Sequence, residues 1–408
     1  YFTRDVYVDG TPAIADVYID ANRDGAQEWR TVLVCGQGPG RGSTIAGGST
    51  GNFYFALDIT DPDDPQPLWE FTHYRMGETW SVPVFGKIQY RGKDTWTAFM
   101  GSGYDNVAGQ GRQGHYFYAI RVKDGVRFWN FGISEKNTRR KWSNKKNVIR
   151  SIPASPAIVD IDNDGLSDKV YVADLEGRLW KVDISKNFRR WRDWKAKKMY
   201  EDRNNYPIIA KPAVWKNPAV EADSPRIYFG TGGDDKAPDN GLYSFIALID
   251  NPRNEVEWFL GDADDLRLSD SLDKGDLEPG EKIWADPKIA NSIVYFSSLF
   301  GSIESVDPCE NLAGKGKFYG RYVDTISGTA IGGSALVASG GGAQESLDLE
   351  IKTRSAVSLG ERQTGEGGSR KQEVYIQEYN STIQKLEQQV SASLRVKSWR
   401  EIYKIIKF

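Results

Sequence analysis

The feature that most constrains the fold is a four-part pattern that recurs along the chain. Each copy opens with a proline-containing segment, continues with an apolar segment that ends in glycines, then with an alternating segment that ends in a polar residue, and generally closes on a tryptophan. The polar residues follow one another at intervals of 57 to 67 residues: Asp58, Arg121, Asp183, Asp250 and Asp307. Repeats of four short strands are typical of propeller blades, which bury their faces only against neighbouring blades.

Five copies of the pattern are clear. The opening prolines are Pro12, Pro83, Pro156, Pro212 and Pro287. The tryptophans that mark the fourth strand are Trp69, Trp129, Trp191 and Trp258, and the fifth copy has its third segment at residues 302–307. The repeat is longer than the roughly 40 to 45 residues of WD-type blades, so we expect long loops, of which residues 133–150 and 260–282 are examples.

The sequence therefore predicts an all-β protein, a modified β-propeller of four-stranded blades with long inter-strand insertions, spanning residues 1–408. The clear repeats occupy residues 1–330, and a Gly/Ser/Gln-rich insertion is expected at 339–369. Residues 370–408 are helical by composition alone, but the alternation around Val374 and Ile376 favours closing strands. An all-β sandwich with chance tryptophan spacing is the alternative fold.

Bulk composition excludes several classes of function. The net charge of −3 and the pI of about 5.7 provide no field that would attract nucleic acid. Cys35 and Cys309 lack metal-site spacing; they could form one bridge or stay buried thiols. We expect no transmembrane segment, because no apolar run reaches roughly 18 residues. The chain begins without Met or a signal peptide, and we expect it to be a portion of a longer protein.

Four carboxylates crowd into nine residues between the first two segments of the third repeat. In the stretch DIDNDGLSD, positions 1, 3, 5 and 9 are aspartates, position 6 is glycine, and position 7 can offer its backbone carbonyl. This spacing matches the first nine positions of a calcium-binding loop. We predict that Ca²⁺ is bound here by Asp160, Asp162, Asp164, Leu166 and Asp168. A solvated turn is the alternative, and an EF-hand is not expected because position 12 is Tyr171 rather than glutamate.

A second loop of the same kind lies at the same joint of the first repeat. The stretch DANRDGAQE predicts a weaker Ca²⁺ site formed by Asp20, Asn22, Asp24, Ala26 and Glu28. Weaker binding is expected because an asparagine replaces one carboxylate and Arg23 adds a positive charge.

Other motifs carry no catalytic signal. The glycine-rich CGQGPGRG stretch leads into a strand rather than a helix, so it is not a dinucleotide fingerprint. His73 and His115 are the only histidines and have no partners in a catalytic pattern. We therefore expect a protein that is not an enzyme and that does not bind nucleic acid.

The blade phrases taken together resemble the PilY/PilC family of type IV pilus proteins, specifically their C-terminal β-propeller domain. The phrases that carry the resemblance are FYFALDITDP, GSGYDN, SPAIVDIDNDGLSDKVYVADLEGRLWKVD, GSIESVDPCENL and the ending SWREIYK. The resemblance covers essentially the whole chain, and its specificity comes from the combination of phrases.

The resemblance implies a pilus-tip biogenesis factor and adhesin of a Gram-negative bacterium, exported through the periplasm to the outer membrane and cell surface. Members of the family support pilus extension against retraction, twitching motility and surface attachment, and act with minor pilins. A calcium loop that matches Asp160, Asp162, Asp164, Leu166 and Asp168 regulates this function in the family. The family's larger N-terminal region, commonly with an adhesive domain of the von Willebrand type, is absent from these residues.

Two other classes of function stay open at the level of sequence. Quinoprotein dehydrogenases also have tryptophan-rich propellers and calcium, but their ion lies at a central cofactor, and this chain has no adjacent cysteines. A lectin-like module that binds glycan or matrix is the other alternative, and it is compatible with a role at the pilus tip.

Overall fold

The computed structural model describes the larger part of the chain. The described residues are 8–38, 52–104, 113–132, 151–185, 188–190, 193–217, 224–234, 237–261, 274–275, 277–290, 292–300, 316–323, 336–338, 349–351, 357–363, 370–377 and 383–390. Every regular element in these ranges is a β-strand, which confirms the all-β prediction. Accordingly, none of the described residues belongs to a helix that could cross a membrane.

The first three sheets each contain four consecutive antiparallel strands. Sheet 1 contains β1 (Ala13–Ile19), β2 (Glu28–Gly36), β3 (Tyr54–Asp58) and β4 (Gln66–Phe71). Sheet 2 contains β5 (Val84–Tyr90), β6 (Lys93–Gly101), β7 (Tyr116–Arg121) and β8 (Arg127–Gly132). Sheet 3 contains β9 (Ala157–Val159), β10 (Lys169–Ala173), β11 (Arg178–Asp183) and β12 (Ala196–Glu201).

The remaining strands form three larger sheets and one small pair. In chain order they are β13 (Ala213–Trp215), β14 (Arg226–Gly230), β15 (Ser244–Ile249), β16 (Val256–Gly261), β17 (Lys274–Gly275), β18 (Glu281–Lys282), β19 (Lys288–Ala290), β20 (Ile293–Ser297), β21 (Leu299–Phe300), β22 (Gly316–Tyr322), β23 (Leu336–Ala338), β24 (Leu349–Ile351), β25 (Val357–Gln363), β26 (Arg370–Gln377) and β27 (Ile383–Val390). Sheet 4 has the order β13-β14-β15-β16-β17, sheet 5 the order β19-β20-β22-β24, and sheet 6 the order β23-β27-β26-β25, while β18 pairs with β21.

The tryptophan of the fourth strand lies opposite a small residue of the third strand. Trp69 pairs with Ala56, and Trp258 pairs with Ala247. Sheet 2 repeats the arrangement with Trp129, and in all three sheets the register shifts just after the alanine. A small residue beside a large ring lets the two strands fill the space between sheets without a void. The alternation in the third segment of each repeat therefore reflects the pairing of a small residue with the tryptophan of the fourth strand.

Among the described residues, the hydrophobic core forms four clusters, each between two consecutive sheets. Sheets 1 and 2 share the first cluster, sheets 2 and 3 the second, sheets 3 and 4 the third, and sheets 4 and 5 the fourth. Sheet 4 shows how one strand serves two neighbours: Phe229 packs toward sheet 3, whereas Tyr228 packs toward sheet 5. Blades that bury both faces against the preceding and following blades define a propeller-type arrangement.

A polar residue follows the second strand and caps the third strand in several sheets. Ser102 Oγ accepts a hydrogen bond from Tyr116 N (2.8 Å), and Thr231 Oγ1 accepts one from Ser244 N (3.0 Å). In sheet 3 the same position is Asp174, whose carboxylate accepts from Arg178 Nε (2.9 Å) and Trp180 Nε1 (2.7 Å). The caps satisfy polar groups that are buried at the ends of these strands.

Two strand predictions are corrected by the structure. The fourth strand of the third repeat is Ala196–Glu201 rather than the segment around Trp191, which lies outside the described residues. Trp194, three residues further on, is instead a buried core side chain 4.6 Å from the ring of Phe188. In the fifth repeat, residues 302–307 also lie outside the described residues, and Gly316–Tyr322 takes the third position.

The C-terminal part contains more strand than its composition indicates. Leu349–Ile351 completes sheet 5 and Val357–Gln363 belongs to sheet 6, so residues 339–369 are not wholly an insertion. These short segments gain their structure from partners elsewhere in the chain, which a Gly/Ser/Gln-rich composition does not reveal. Arg370–Gln377 and Ile383–Val390 agree with the expected closing strands, and residues 391–408 lie outside the described residues.

Candidate metal centre

The loop of residues 160–168 connects β9 to β10 at one end of sheet 3. Two of its residues have a left-handed backbone, Asn163 at a φ of 60° and Gly165 at a φ of 84°. A Cβ added at Gly165 would meet only Lys87 Nζ, at 3.7 Å. Glycine is thus favoured at position 6 because of the backbone conformation and not because of crowding.

Hydrogen bonds from backbone amides to the loop's own carboxylates shape the turn. The four bonds run from Ile161 N to Asp168 Oδ2 (2.6 Å), from Asp164 N to Asp162 Oδ1 (3.2 Å), from Gly165 N to Asp160 Oδ2 (2.8 Å) and from Leu166 N to Asp164 Oδ1 (2.7 Å). The aspartates are therefore the residues that fold the loop as well as the residues that give it negative charge.

Three of the carboxylates converge into a possible metal-binding cluster. One oxygen from each of Asp160, Asp162 and Asp168 lies within 4.8 Å of the others. Asp160 Oδ2 accepts the amide of Gly165, whereas Asp160 Oδ1 is buried and accepts no hydrogen bond. Burial raises the pKa of Asp168, and the negative charges of Asp162 and Asp160 raise it further, against the hydrogen bond from Ile161 N. The chemistry of such a cluster favours a bound cation or proton.

The fourth predicted carboxylate lies outside this cluster. Asp164 is exposed and uses Oδ1 to accept the amide of Leu166. Three of the four carboxylates predicted for this site therefore converge.

The loop at residues 20–28 shares two left-handed backbone positions with the loop of sheet 3. Arg23 and Gly25 have φ values of 64° and 93°, at the positions of Asn163 and Gly165. Its turn is closed in the same way, with Asp24 N donating to Asn22 Oδ1 (3.3 Å) and Ala26 N donating to Asp24 Oδ1 (2.8 Å). The repetition predicted from the two sequences is thus a repetition of local structure.

The side chains of this first loop are arranged differently. Lys123 Nζ lies 3.5 Å from Asp20 Oδ2, and Glu28 pairs with Arg30. The amide of Ala26 lowers the pKa of Asp24. Within the described ranges no cluster of three carboxylates forms at this loop, and two of its three carboxylates are paired with positively charged side chains.

The remaining residues noted in the sequence lie apart from this site. His73 Nδ1 is 3.0 Å from the hydroxyl of Tyr118, and His115 is buried. Cys35 is a free buried thiol, and burial raises its pKa, while Cys309 lies outside the described residues. No sequence pattern points to Lys216, which donates from Nζ to Ile161 O inside the acidic loop (2.9 Å).

Comparison with known proteins places this architecture among the propeller-type proteins. A solved structure, the C-terminal domain of Pseudomonas aeruginosa PilY1, superposes with a TM-score of 0.61 over 93% of this chain and 84% of that chain, at 18% identity. It has the same fold. No protein-family model matches the chain.

Sequence comparison then gives the relationship. A type IV pilus biogenesis factor PilY1 homolog of Xylella fastidiosa is 30% identical in an alignment of 268 residues, which covers 59% of this chain and 16% of that protein. PilY1 of Pseudomonas aeruginosa is 28% identical over 186 residues, or 45% of this chain and 13% of that protein. The chain is homologous to the PilY1 type IV pilus biogenesis factors. It spans less than a fifth of the length of these relatives.

Proposed function

We propose that this chain is the propeller portion of a type IV pilus biogenesis factor that acts at the pilus tip on the cell surface. The observation that carries the proposal is the identity to a PilY1 homolog over 268 residues, supported by the fold shared with the PilY1 C-terminal domain. The protein would reach the surface through the periplasm and stay associated with the outer membrane. Its partners there would be minor pilins, and a host or abiotic surface is a further candidate ligand.

We propose in addition that the loop of residues 160–168 binds Ca²⁺. Asp160, Asp162 and Asp168 fit a hard cation because they offer oxygen ligands within 4.8 Å of one another, and Ca²⁺ takes only such ligands. The unpartnered buried oxygen of Asp160 supports the same conclusion, since a buried carboxylate oxygen without a donor is costly. Asp164 and the carbonyl of Leu166 would complete the set, as position 5 and position 7 do in calcium loops.

The loop of residues 20–28 is proposed as a second, weaker calcium site. It would use Asp20, Asn22, Asp24, Ala26 and Glu28. The buried, unpartnered Oδ1 of Asp20 supports this assignment. The ion pairs of Asp20 with Lys123 and of Glu28 with Arg30 would first have to open, which lowers the expected affinity.

The functional test is allelic replacement in the bacterium that encodes the protein. Asp160→Asn in the full-length gene should reduce surface pili and twitching motility, and deleting the retraction motor should restore surface pili but not twitching. Asp183→Asn, an exposed aspartate at the end of β11, is the matched control and should behave as wild type. Normal piliation after deletion of residues 8–390 from the full-length protein would contradict the role in pilus biogenesis.

A further inference from the structure

The loop of residues 160–168 contacts the sheet on either side of its own. Ser167 N donates to Lys87 O of β5 in sheet 2 (2.7 Å). From sheet 4, Lys216, which directly follows β13, donates from Nζ to Ile161 O (2.9 Å). Three consecutive sheets therefore meet at the candidate calcium loop.

The far end of the loop is also tied to sheet 4. Lys169 directly follows Asp168, and its Nζ lies 2.8 Å from Asp250 Oδ2 at the end of β15. The same carboxylate oxygen accepts the hydroxyl of Tyr171 (2.8 Å), and Lys181 pairs with the other oxygen. The Asp250 side chain is only 1% exposed. This end of the loop is thus anchored whether or not an ion is bound.

The near end of the loop is tied to sheet 4 by the hydrogen bond from Lys216. Ile161 lies between Asp160 and Asp162, so the orientation of its peptide determines where both carboxylates point. An ion that draws these carboxylates together would fix the carbonyl that Lys216 binds. Without an ion the contact is weaker, because the half-buried Lys216 side chain must lose rotamer freedom to bind a carbonyl that is not held in place.

We infer that Lys216 couples occupation of the loop by a divalent cation to the packing of sheet 4 against sheet 3. The inference rests on the proposed calcium site and adds a positioning residue that carries its effect to the next blade. Coupling is reciprocal: the ion orders the Lys216 contact, and the Lys216 contact strengthens binding of the ion. If the Lys216 ammonium group acted only through its charge, it would weaken calcium binding, because it would repel the cation.

The test compares Lys216→Met with Lys195→Met in the whole chain. Lys195 is exposed, so its variant removes the same charge away from the loop. Calcium affinity is measured by calorimetry, and amide hydrogen exchange is followed at residues 157–168 and 213–217 with and without calcium. We expect Lys216→Met to weaken calcium binding about fivefold, at the lower end of coupling energies, and to abolish the calcium-dependent protection of residues 213–217 alone. Lys195→Met should match wild type in both.

The outcomes separate the two proposals. If wild type binds calcium but Lys216→Met binds it equally or more tightly, or keeps the protection at residues 213–217, the coupling is wrong while the calcium site stands. If wild type shows no calcium response, both are wrong. Wild type and Asp160→Asn provide a second comparison that needs no change at Lys216: calcium should protect residues 213–217 in the first and not in the second.

Discussion

Asp250 is a buried carboxylate that binds three side chains of sheet 3 from the end of β15 in sheet 4. Burial alone would raise its pKa, but hydrogen bonds from Lys169, Lys181 and Tyr171 outweigh burial and hold the pKa of this carboxyl below its usual range. The equivalent residue of the preceding repeat, Asp183, is exposed and accepts hydrogen bonds from the backbone and hydroxyl of Ser185. At the same position of the repeat, Asp250 thus joins two sheets, whereas Asp183 bonds within its own turn.

Replacing Asp250 is expected to destabilise the protein. Asp250→Asn leaves two lysine ammonium groups without their carboxylate, so the free energy of unfolding should fall by about 3 kcal/mol, measured by urea denaturation at pH 7. Asp183→Asn should change it by less than about 0.5 kcal/mol.

The contribution of Asp250 to stability is fully present above the unfolded pKa of about 3.9 and is lost as the pH falls through the lower folded pKa. The difference between wild type and Asp250→Asn should therefore shrink toward pH 2; a difference that stays constant would contradict the charge-based explanation.

His73 is a second group whose titration makes stability depend on pH, and it is a base rather than an acid. Burial, followed by the positive charges of Arg127 and Arg75, lowers the pKa of His73 to about 4. The unfolded chain therefore binds a proton at this residue between about pH 6.5 and pH 4, whereas the folded chain does not. Stability should fall as the pH is lowered through this window, and less steeply in His73→Gln. Because the chain has two histidines, NMR titration resolves them, and a His73 pKa near 6.5 would contradict the assignment.

At the scale of the element, close approach between sheets limits which residues can stand at strand ends. Gly101, the last residue of β6, has no room for a side chain because an added Cβ would lie 2.1 Å from the carbonyl oxygen of Ile152. The same carbonyl accepts Gly103 N at 3.1 Å. The segment that leads into sheet 3 is thus held directly against the end of sheet 2.

Gly101→Ala should therefore destabilise the protein by about 1 to 3 kcal/mol through overpacking. Gly25→Ala is the informative comparison, because nothing lies within 4 Å of the added Cβ and only the φ of 93° is unfavourable. Its cost should be about 1 kcal/mol, as for other residues in left-handed backbone. Chemical denaturation of both variants measures the difference, and a Gly101→Ala variant as stable as wild type would show that the two sheets separate easily at this point.

The elements also show what the sequence could and could not predict. The repeat, with its alternating third segment and closing tryptophan, and the acidic loop are local patterns. Their period and spacing are enough to predict sheets 1, 2 and 4 and the loop that carries Asp160. The fourth strand of sheet 3 was misassigned because Trp191 and Trp194 stand close together, and one of them belongs to a core cluster rather than to a strand. The third strand of sheet 5 was misassigned because a long segment separates it from its partner.

Contacts between distant segments had no sequence signal. Lys216 reaches the loop from 55 residues away, and Asp250 reaches Lys169 from 81 residues away. Lys216 belongs to no motif, and the repeat marks the position of Asp250 without indicating its partners. A lysine or an aspartate at a strand end is ordinarily solvated. The convergence of Asp160, Asp162 and Asp168 without Asp164 also depends on which amides the carboxylates accept, and spacing alone does not determine that choice.

At the scale of the whole molecule, stability is the sum of interfaces between consecutive sheets. Each core cluster joins two neighbours, as expected for a chain in which a blade cannot bury its faces alone. An ion bound at residues 160–168 would strengthen the middle of this series, where sheets 2, 3 and 4 meet. Calcium at about 100 times its Kd should then raise the free energy of unfolding by about 2.7 kcal/mol, and chelation should remove this gain.

The most direct test of the account is a calorimetric titration of the whole chain with Ca²⁺. Wild type should bind the ion, with a Kd in the range of about 10⁻⁷ to 10⁻³ M that calcium loops cover. Asp160→Asn should abolish the tighter binding event, and Asp24→Asn, at the first loop, should leave it unchanged. Absence of binding by wild type at millimolar calcium, or equal binding by wild type and Asp160→Asn, would contradict the assignment of residues 160–168 as a calcium site.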